Sequence, residues 1–374
     1  MPPLRVGVIF GGRSGEHEVS LASAASVIGA LERGGHQVVP IGIARDGRWV
    51  VGGDPLRALA AEARIALPSG DAAGDVKKAL ADRAEATLSA AGAALARTEP
   101  PGGLPPELRQ ALDVVVIMLH GPYGEDGTIQ GVLELADLPY VGAGVLASAV
   151  GMDKAAMKDV FRAHGLPVVE HIVIRRRDWR ADPAAVTRRV ASTVGFPCFV
   201  KPSNLGSSVG ISKVRDEAAL PRALDEAARH DRKVVIERAV RAREVEVSVL
   251  GNDDPVASLP GEIRYAAEWY DYATKYSEGQ AQLVVPAPLG PELTRRVQEL
   301  AIAAFRAIDC AGMARVDFFI EDGGRVLVNE INTIPGFTTT SAYARMWEAS
   351  GLDYVALVDR LIQLALERHR ERSP

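Results

Sequence analysis

Residues 315–336, RVDFFIEDGGRVLVNEINTIPG, set Asp317, Glu330 and Asn332 into runs that otherwise have the character of buried β-strand. Asp322-Gly323 is a strong hairpin signal, and successive strand side chains point to opposite faces. With those two residues as the loop, Arg315 lies opposite Glu330 and Asp317 opposite Val328. Asp317 is then the diagonal neighbour of Glu330, about 7–8 Å away across the strands. Asn332 and Arg315 share that face, while Val316, Phe318, Ile320, Leu327 and Ile331 take the other, as a core requires. Two carboxylates so close repel unless a cation lies between them, and an all-oxygen cluster suits Mg²⁺ or Mn²⁺ better than zinc. A salt-bridged, solvated strand face, with Arg315 neutralising Glu330, accounts for the same residues, and the hairpin alone leaves both readings open.

A second candidate is KPSNLGSSVG at 201–210. A lysine at a strand end precedes a loop of small residues, whose backbone N–H groups can approach phosphate oxygens while the ammonium adds charge. It is not a Walker loop, because the lysine comes before the glycines and no helix follows. On its own the stretch reads equally as a β-turn. Beside a metal-binding face it becomes half of a nucleotide site.

The elements that must carry these residues follow from the rest of the chain. At 374 residues, on a prior of roughly 150 residues per domain, two or three domains are expected. LRVGVIF at 4–10, the glycines of GGRSG, the helical EHEVSLASAASVIGALERGG and HQVVPIGI form an α/β unit with parallel strands, closed by DVVVIML at 113–119. Residues 53–111, rich in Ala, Gly and charge, read as a helical insertion. A second segment opens near 122, with helical MDKAAMKDVFRAHG and strands at 198–203, 209–214 and 234–240. A third begins at about 241 with EVEVSVL, passes through an aromatic-rich loop at 261–284 and ends in helices around the hairpin.

Net charge of -5 argues against a nucleic-acid surface, and RRRDWR at 175–180 reads as a solvated edge. Cys198 and Cys310 sit in apolar contexts and read as reduced, buried thiols. No charged-then-apolar leader precedes Leu4 and no apolar run nears the roughly 18 residues of a membrane span, so a cytoplasmic chain without membrane contact is expected.

Taken together the motifs resemble the D-alanine:D-alanine ligases of the ATP-grasp superfamily. GGRSGEHEVSL (11–21), HGPYGEDGTIQG (120–131), GMDK (151–154), VKPSNLGSSVG (200–210), IERAV (236–240), YDYATKY (270–276), ARVDFF (314–319) and NEINTIPGFT (329–338) occur in the family's order across nearly the whole chain. The resemblance implies a three-domain α/β and α+β ATP-grasp enzyme: an N-terminal parallel-sheet α/β domain at 1–121 with the insertion at about 53–111, a central subdomain at 122–240, and a C-terminal subdomain at 241–374 carrying the lid loop and metal site. It implies ATP, two Mg²⁺ or Mn²⁺ ions, two molecules of D-alanine and a homodimer. Lys154 and Lys201 match phosphate-contacting lysines, and Ser208 lies in the same phosphate loop. Glu237, Arg238 and Val240 match the segment that holds adenine, and Glu244 the carboxylate on the ribose. Asp317, Glu330 and Asn332 match the metal ligands, with Arg315 on the transferred phosphoryl group. Glu16 matches the acceptor for the first D-alanine's ammonium, with a first-turn helix acid as its structural alternative. Ser207 and Tyr276 match its lid partners, Lys275 a lid contact to phosphate, and Gly336 and Ser341 the oxyanion and second-carboxylate positions. Arg238 and Ala239 depart from the residues expected beside adenine. His120 matches an active-site histidine or a loop tie. A D-alanine:D-lactate ligase is the nearest rival, against which Tyr276 stands; a nicotinamide enzyme would leave the lysines and carboxylates unexplained.

Overall fold

The computed structural model describes residues 2–64, 106–206, 210–265 and 281–372. Its first sheet consists of β1 (Arg5–Gly11), β2 (Gln37–Ile43), β3 (Trp49–Val51) and β4 (Val114–Ile117), in the order β3-β2-β1-β4. β1 runs parallel to β2 and β4, and β3 is the antiparallel edge. RVGVIFG shows no polar alternation because its side chains are enclosed on both faces, as a parallel sheet between helices demands. The helix His17–Arg33 packs against β1, and the C-terminal helix Tyr354–Arg372 contributes Leu357, Leu361 and Ile362 to the same core.

The second sheet is antiparallel: β5 (His171–Arg175), β6 (Cys198–Pro202), β7 (Ser212–Val214) and β8 (Lys233–Arg238), ordered β5-β8-β6-β7. The helices Pro183–Thr193 and Leu220–His230 back it with Val190, Leu220 and Leu224. The strand expected at 209–214 is shorter and starts only at Ser212. The third sheet holds β9 (Ala242–Gly251), β10 (Val256–Ala257), β11 (Gly261–Tyr265), β12 (Ala281–Val284), β13 (Gly312–Glu321) and β14 (Val326–Asn332). Its order is β12-β11-β9-β13-β14, with β10 on β9 and the helix Pro291–Ala307 behind. Both ends of the expected loop at 261–284 are thus paired strands, and residues 266–280 lie outside the described residues.

Two local features place the site. The helix expected to run through MDKAAMKDVFRAHG is broken at Asp153, whose carboxylate accepts from Ala155 N and Ala156 N, both at 3.2 Å, and so caps a new helix, Lys154–Ala163. Asp153 also accepts from Ser203 Oγ at 2.7 Å and pairs with Lys233, which ties the cap to the second sheet. The third sheet in turn meets the loop before β5: Val328 N donates to Pro167 O at 2.7 Å. Cys198 and Cys310 are buried free thiols.

Candidate active site

The hairpin of β13 and β14 differs from its expected register. Its loop holds three residues: Glu321 N donates to Arg325 O at 3.0 Å and Gly324 N to Glu321 O at 2.9 Å, with Gly323 and Gly324 at φ of 103° and 85°. Between Asp317 and Phe318 the register then shifts, leaving Asn329 as an extra residue in β14. Asp317 therefore faces Glu330 directly and Arg315 faces Asn332, where a two-residue loop would have put Val328 and Glu330. Leu327 pairs with Phe319 and leaves the core face to Val326, Val328 and Ile331. The four polar residues still share one face, because the bulge restores the alternation that the longer loop upsets.

β9 adds a member that the hairpin alone could not reveal. Asp317 is also in register with Glu246, so one rung of three strands carries Glu246, Asp317 and Glu330. Arg315 binds Asp317 through two hydrogen bonds, Nε to Oδ1 at 2.7 Å and Nη2 to Oδ2 at 2.8 Å, and its Nε lies 3.3 Å from Glu246 Oε1. Burial alone would pull the Arg315 pKa down, but Asp317 and then Glu246 hold it well above the usual value. Asn332 Nδ2 donates to Asp317 Oδ2 at 3.1 Å, and Lys154 Nζ stands 3.4 Å from Glu330 Oε2.

Among the described residues no group of three Asp, Glu, His or Cys side chains forms a ready metal cage. Asp317 and Glu330 facing each other on this rung and Asn332 opposite Arg315 on the same face are hard oxygen donors, and Arg315 and Lys154 supply positive charge beside them. That chemistry fits a divalent cation of the magnesium type.

Opposite this face lie the lysines. Lys154 Nζ donates to Leu205 O at 2.9 Å, on the loop that begins at Lys201. Lys201 Nζ is bonded to Glu237 Oε2 at 2.7 Å, and the second oxygen of Glu237 lies 3.0 Å from the ammonium of Lys158. Burial would push the Glu237 carboxyl up, but Lys158 and Lys201 together hold it well below the usual carboxylate range. Glu237 thus turns its side chain inward between two lysines. Arg238 points away to Glu170 and Glu321, at 2.9 and 3.0 Å. The link at Val240 joins β8 to β9 and is pinned by Ala239 N donating to Pro197 O at 3.0 Å. Glu244 accepts from Tyr265 OH at 2.9 Å.

The remaining wall comes from the first sheet. A cleft of about 330 Å³ is lined by Glu16, Lys154, Arg315, Glu330, Asn332, Gly336 and Ser341 among others. Glu16 reaches it from the turn after β1, where Ser14 Oγ accepts from Glu16 N at 3.2 Å and donates to His120 O at 2.6 Å. A Cβ on Gly206 would sit 3.1 Å from Glu16 Oε2, so the loop at 201–206 closes onto this carboxylate. His120 is buried with both ring nitrogens engaged, Nδ1 with Ile334 O at 3.0 Å and Nε2 with Ser23 Oγ at 3.1 Å. It ties the cleft's floor to the helix His17–Arg33. Ser341 Oγ accepts from Thr338 N at 3.0 Å and fixes the turn after Gly336.

Glu125, which lies in HGPYGEDG, was not singled out by its sequence setting. Its Oε2 accepts from Gly121 N at 2.8 Å in the cleft. Burial first, and the charge of Glu16 second, push its carboxyl up to about 8. Lys158 and Glu246 were likewise unmarked. Ser207, Ser208, Lys275 and Tyr276 lie outside the described residues.

The sequence model of the D-ala D-ala ligase N-terminus matches residues 5–143 and that of the D-ala D-ala ligase C-terminus residues 160–363. A D-alanine–D-alanine ligase of Geobacillus thermodenitrificans is 43% identical over 99% of this chain and 97% of its own length, and one of Heliobacterium modesticaldum 46% over 98% and 96%. Among solved structures, the D-alanine-D-alanine ligase from Coxiella burnetii superposes with a TM-score of 0.79 at 37% identity, covering 100% of this chain and 96% of that one. The VanG D-Ala:D-Ser ligase from Enterococcus faecalis does so with 0.78 at 31%, covering 97% and 99%. With both halves matched and relatives aligned almost end to end, the chain belongs to the D-alanine–D-alanine ligase family.

Proposed function

We propose that this chain joins two molecules of D-alanine into D-alanyl-D-alanine with ATP, through a D-alanyl phosphate, releasing ADP and phosphate and supplying the dipeptide of peptidoglycan precursors. The observation that carries this reading is one cleft on which Glu16 from the turn after β1, Lys154 from the start of the helix Lys154–Ala163, and Arg315, Glu330 and Asn332 from the third sheet converge. Amide formation from a free carboxylate is uphill in water, so the carboxylate must first become a better acyl donor.

In this reading Glu16 holds the ammonium of the first D-alanine and so aims its carboxylate at the γ-phosphate of ATP. One carboxylate oxygen bonds to that phosphorus as the bond to ADP breaks, while Arg315, Lys154 and Lys201 stabilise charge on the transferring group. Asp317, Glu330 and Asn332 would hold divalent metal, two Mg²⁺ or Mn²⁺ ions, which when bound neutralises phosphate charge. The amine of the second D-alanine, its carboxylate near Ser341 and Gly336, then bonds to the acyl carbon, and phosphate leaves. Lid residues Lys275, Tyr276, Ser207 and Ser208 exclude water from the acyl phosphate. Glu237, Arg238 and Val240 flank adenine and Glu244 takes the ribose. The same reading divides the chain at about 121 and 240, and makes it a cytoplasmic homodimer free of nucleic acid and membrane; sedimentation tests the assembly. No described helix is long and apolar enough to cross a membrane.

Phosphate release from ATP, with products identified, is to be compared for D-alanine alone, L-alanine, and D-alanine with D-lactate or D-serine. D-Alanyl-D-alanine as the main product is expected. A mixed product in preference to it would move the chain to the neighbouring activities, of which the likeness to a D-Ala:D-Ser ligase makes D-serine the most pointed comparison.

A further inference from the structure

Lys158 sits one helical turn beyond Lys154 on the same face of the helix Lys154–Ala163. It is 1% exposed. A lysine so enclosed carries a heavy desolvation cost unless its charge is met. Burial pushes its pKa down, and Glu237 opposes that. Its Nζ lies 3.0 Å from Glu237 Oε1 and donates to the carbonyl of Asn329, also at 3.0 Å. Asn329 is the bulge residue just before Glu330, so Lys158 is tied to the third sheet as well as to Glu237 and stands independently of Lys201.

The consequence lies in the count of charges. Glu237 is 2% exposed, and its other oxygen is held by Lys201 Nζ at 2.7 Å. If Lys201 were its sole partner, swinging Lys201 to a phosphate would strand a buried carboxylate, which is strongly unfavourable when one member of a buried pair is removed. With Lys158 fixed on the opposite side, the carboxylate stays neutralised.

We propose that Lys158 is a positioning residue of the nucleotide site, which neutralises Glu237 from beneath and so releases Lys201 to the triphosphate. This rests on the reading of Lys201 as a phosphate contact. The residue touches neither substrate nor reacting atoms; it acts through Glu237.

The test is Lys158→Met, which keeps the apolar stem, together with Glu237→Gln and the double variant. ATP binding is measured by equilibrium titration, and KM for ATP and for D-alanine separately. Lys158→Met is expected to weaken ATP about tenfold or more, equivalent to about 1.4 kcal/mol, while KM for D-alanine stays within about twofold. In Lys158→Met/Glu237→Gln the buried carboxylate that would be stranded is gone and Lys201 is free of it, so ATP affinity should return to within about threefold of Glu237→Gln alone, the non-additivity expected of directly coupled residues. Lys158→Met protein that binds ATP normally overturns the proposal. So does a double variant that binds ATP as poorly as Lys158→Met or fails to fold, because the assigned role is exhausted by the charge of Glu237. Lys201→Ala, run alongside, tests the underlying reading by itself. Unchanged ATP binding there removes Lys201 from the phosphates, whereas weakened binding there with normal binding in Lys158→Met removes only the role of Lys158.

Discussion

At the scale of single residues, the carboxylates of the central rung differ in what they already have. Asp317 is gripped by Arg315 and Asn332, whereas Glu330 meets Lys154 at 3.4 Å. Glu330→Gln should cut turnover by about 10²–10³, the scale of losing one fixed electrostatic contact. Asp317→Asn should do the same to turnover and also cost stability, since the buried Arg315 loses the nearest of the carboxylate charges around it and keeps those of Glu246 and Glu330. Normal Mg²⁺-dependent turnover in both variants would sink the metal reading. Glu125 offers a pH test. Its carboxyl, ordinarily near 4.5, is raised to about 8 in the fold. A raised carboxylate contributes stability that is fully present below about 4.5 and lost as pH climbs toward 8. Glutamine mimics the protonated form, so Glu125→Gln should match the parent in melting temperature near pH 5 and exceed it at pH 8 to 9. A gap that does not widen with pH would contradict the burial argument. Asp317, Glu330 and Arg315 were legible because polar types inside apolar strands violate the expected pattern. Lys158 was not, since a lysine four residues after another on an amphipathic helix looks like any surface lysine. Only contact with Asn329 and Glu237, far away in sequence, makes it a buried cation.

At the scale of elements, period-two alternation identified the strands and their inner faces but not the pairing. A three-residue loop and the bulge at Asn329 each move the register by one, and nothing in VLVNEIN marks which residue will be extra. The shared face was therefore read correctly from two shifts that cancel, and the partners incorrectly. The helix break at Asp153 was similarly hidden, because an Asp before Lys-Ala-Ala is an N-cap signal only if the chain also turns there to meet Ser203. The loop at 201–206 carries the clearest test at this scale. Gly206→Ala would place a methyl 3.1 Å from the Glu16 carboxylate, tighter than ordinary contact, and the carboxylate must give way. The expected result is a several-fold rise in KM for D-alanine in the first-substrate role with KM for ATP unchanged, as for a lost uniform-binding contact. Equal rises in both would mean that the loop moves as a whole and that Glu16 is not its specific neighbour.

At the scale of the molecule, the cleft exists only where the second and third sheets come together against the turn after β1, so no unit of the fold holds a complete site. Fold class and element order were readable because hydrophobic periodicity is local. The docking of Val328 on Pro167 and the inclusion of the helix Tyr354–Arg372 in the first sheet's core were not, because both depend on contacts between distant parts of the chain. Binding energy should then appear as stability of the whole chain. A non-hydrolysable ATP analogue at about 100 times its Kd should add about 2.7 kcal/mol to folding stability, raising the melting temperature by a few degrees for a chain of this size. The two arms of the cleft contribute differently. If Lys154 and Lys201 contact phosphate as proposed, the analogue alone should give part of the shift, and Mg²⁺ should add the rest through Asp317 and Glu330. In Glu330→Gln the metal-dependent increment should vanish while the analogue's own increment stays. In Lys201→Ala the reverse partition is expected: a smaller shift from the analogue alone, with a metal increment still visible at saturating analogue. If both variants lose both increments together, the lysines and the carboxylates do not form separable halves of one site, and the cleft closes only when every charged partner is present.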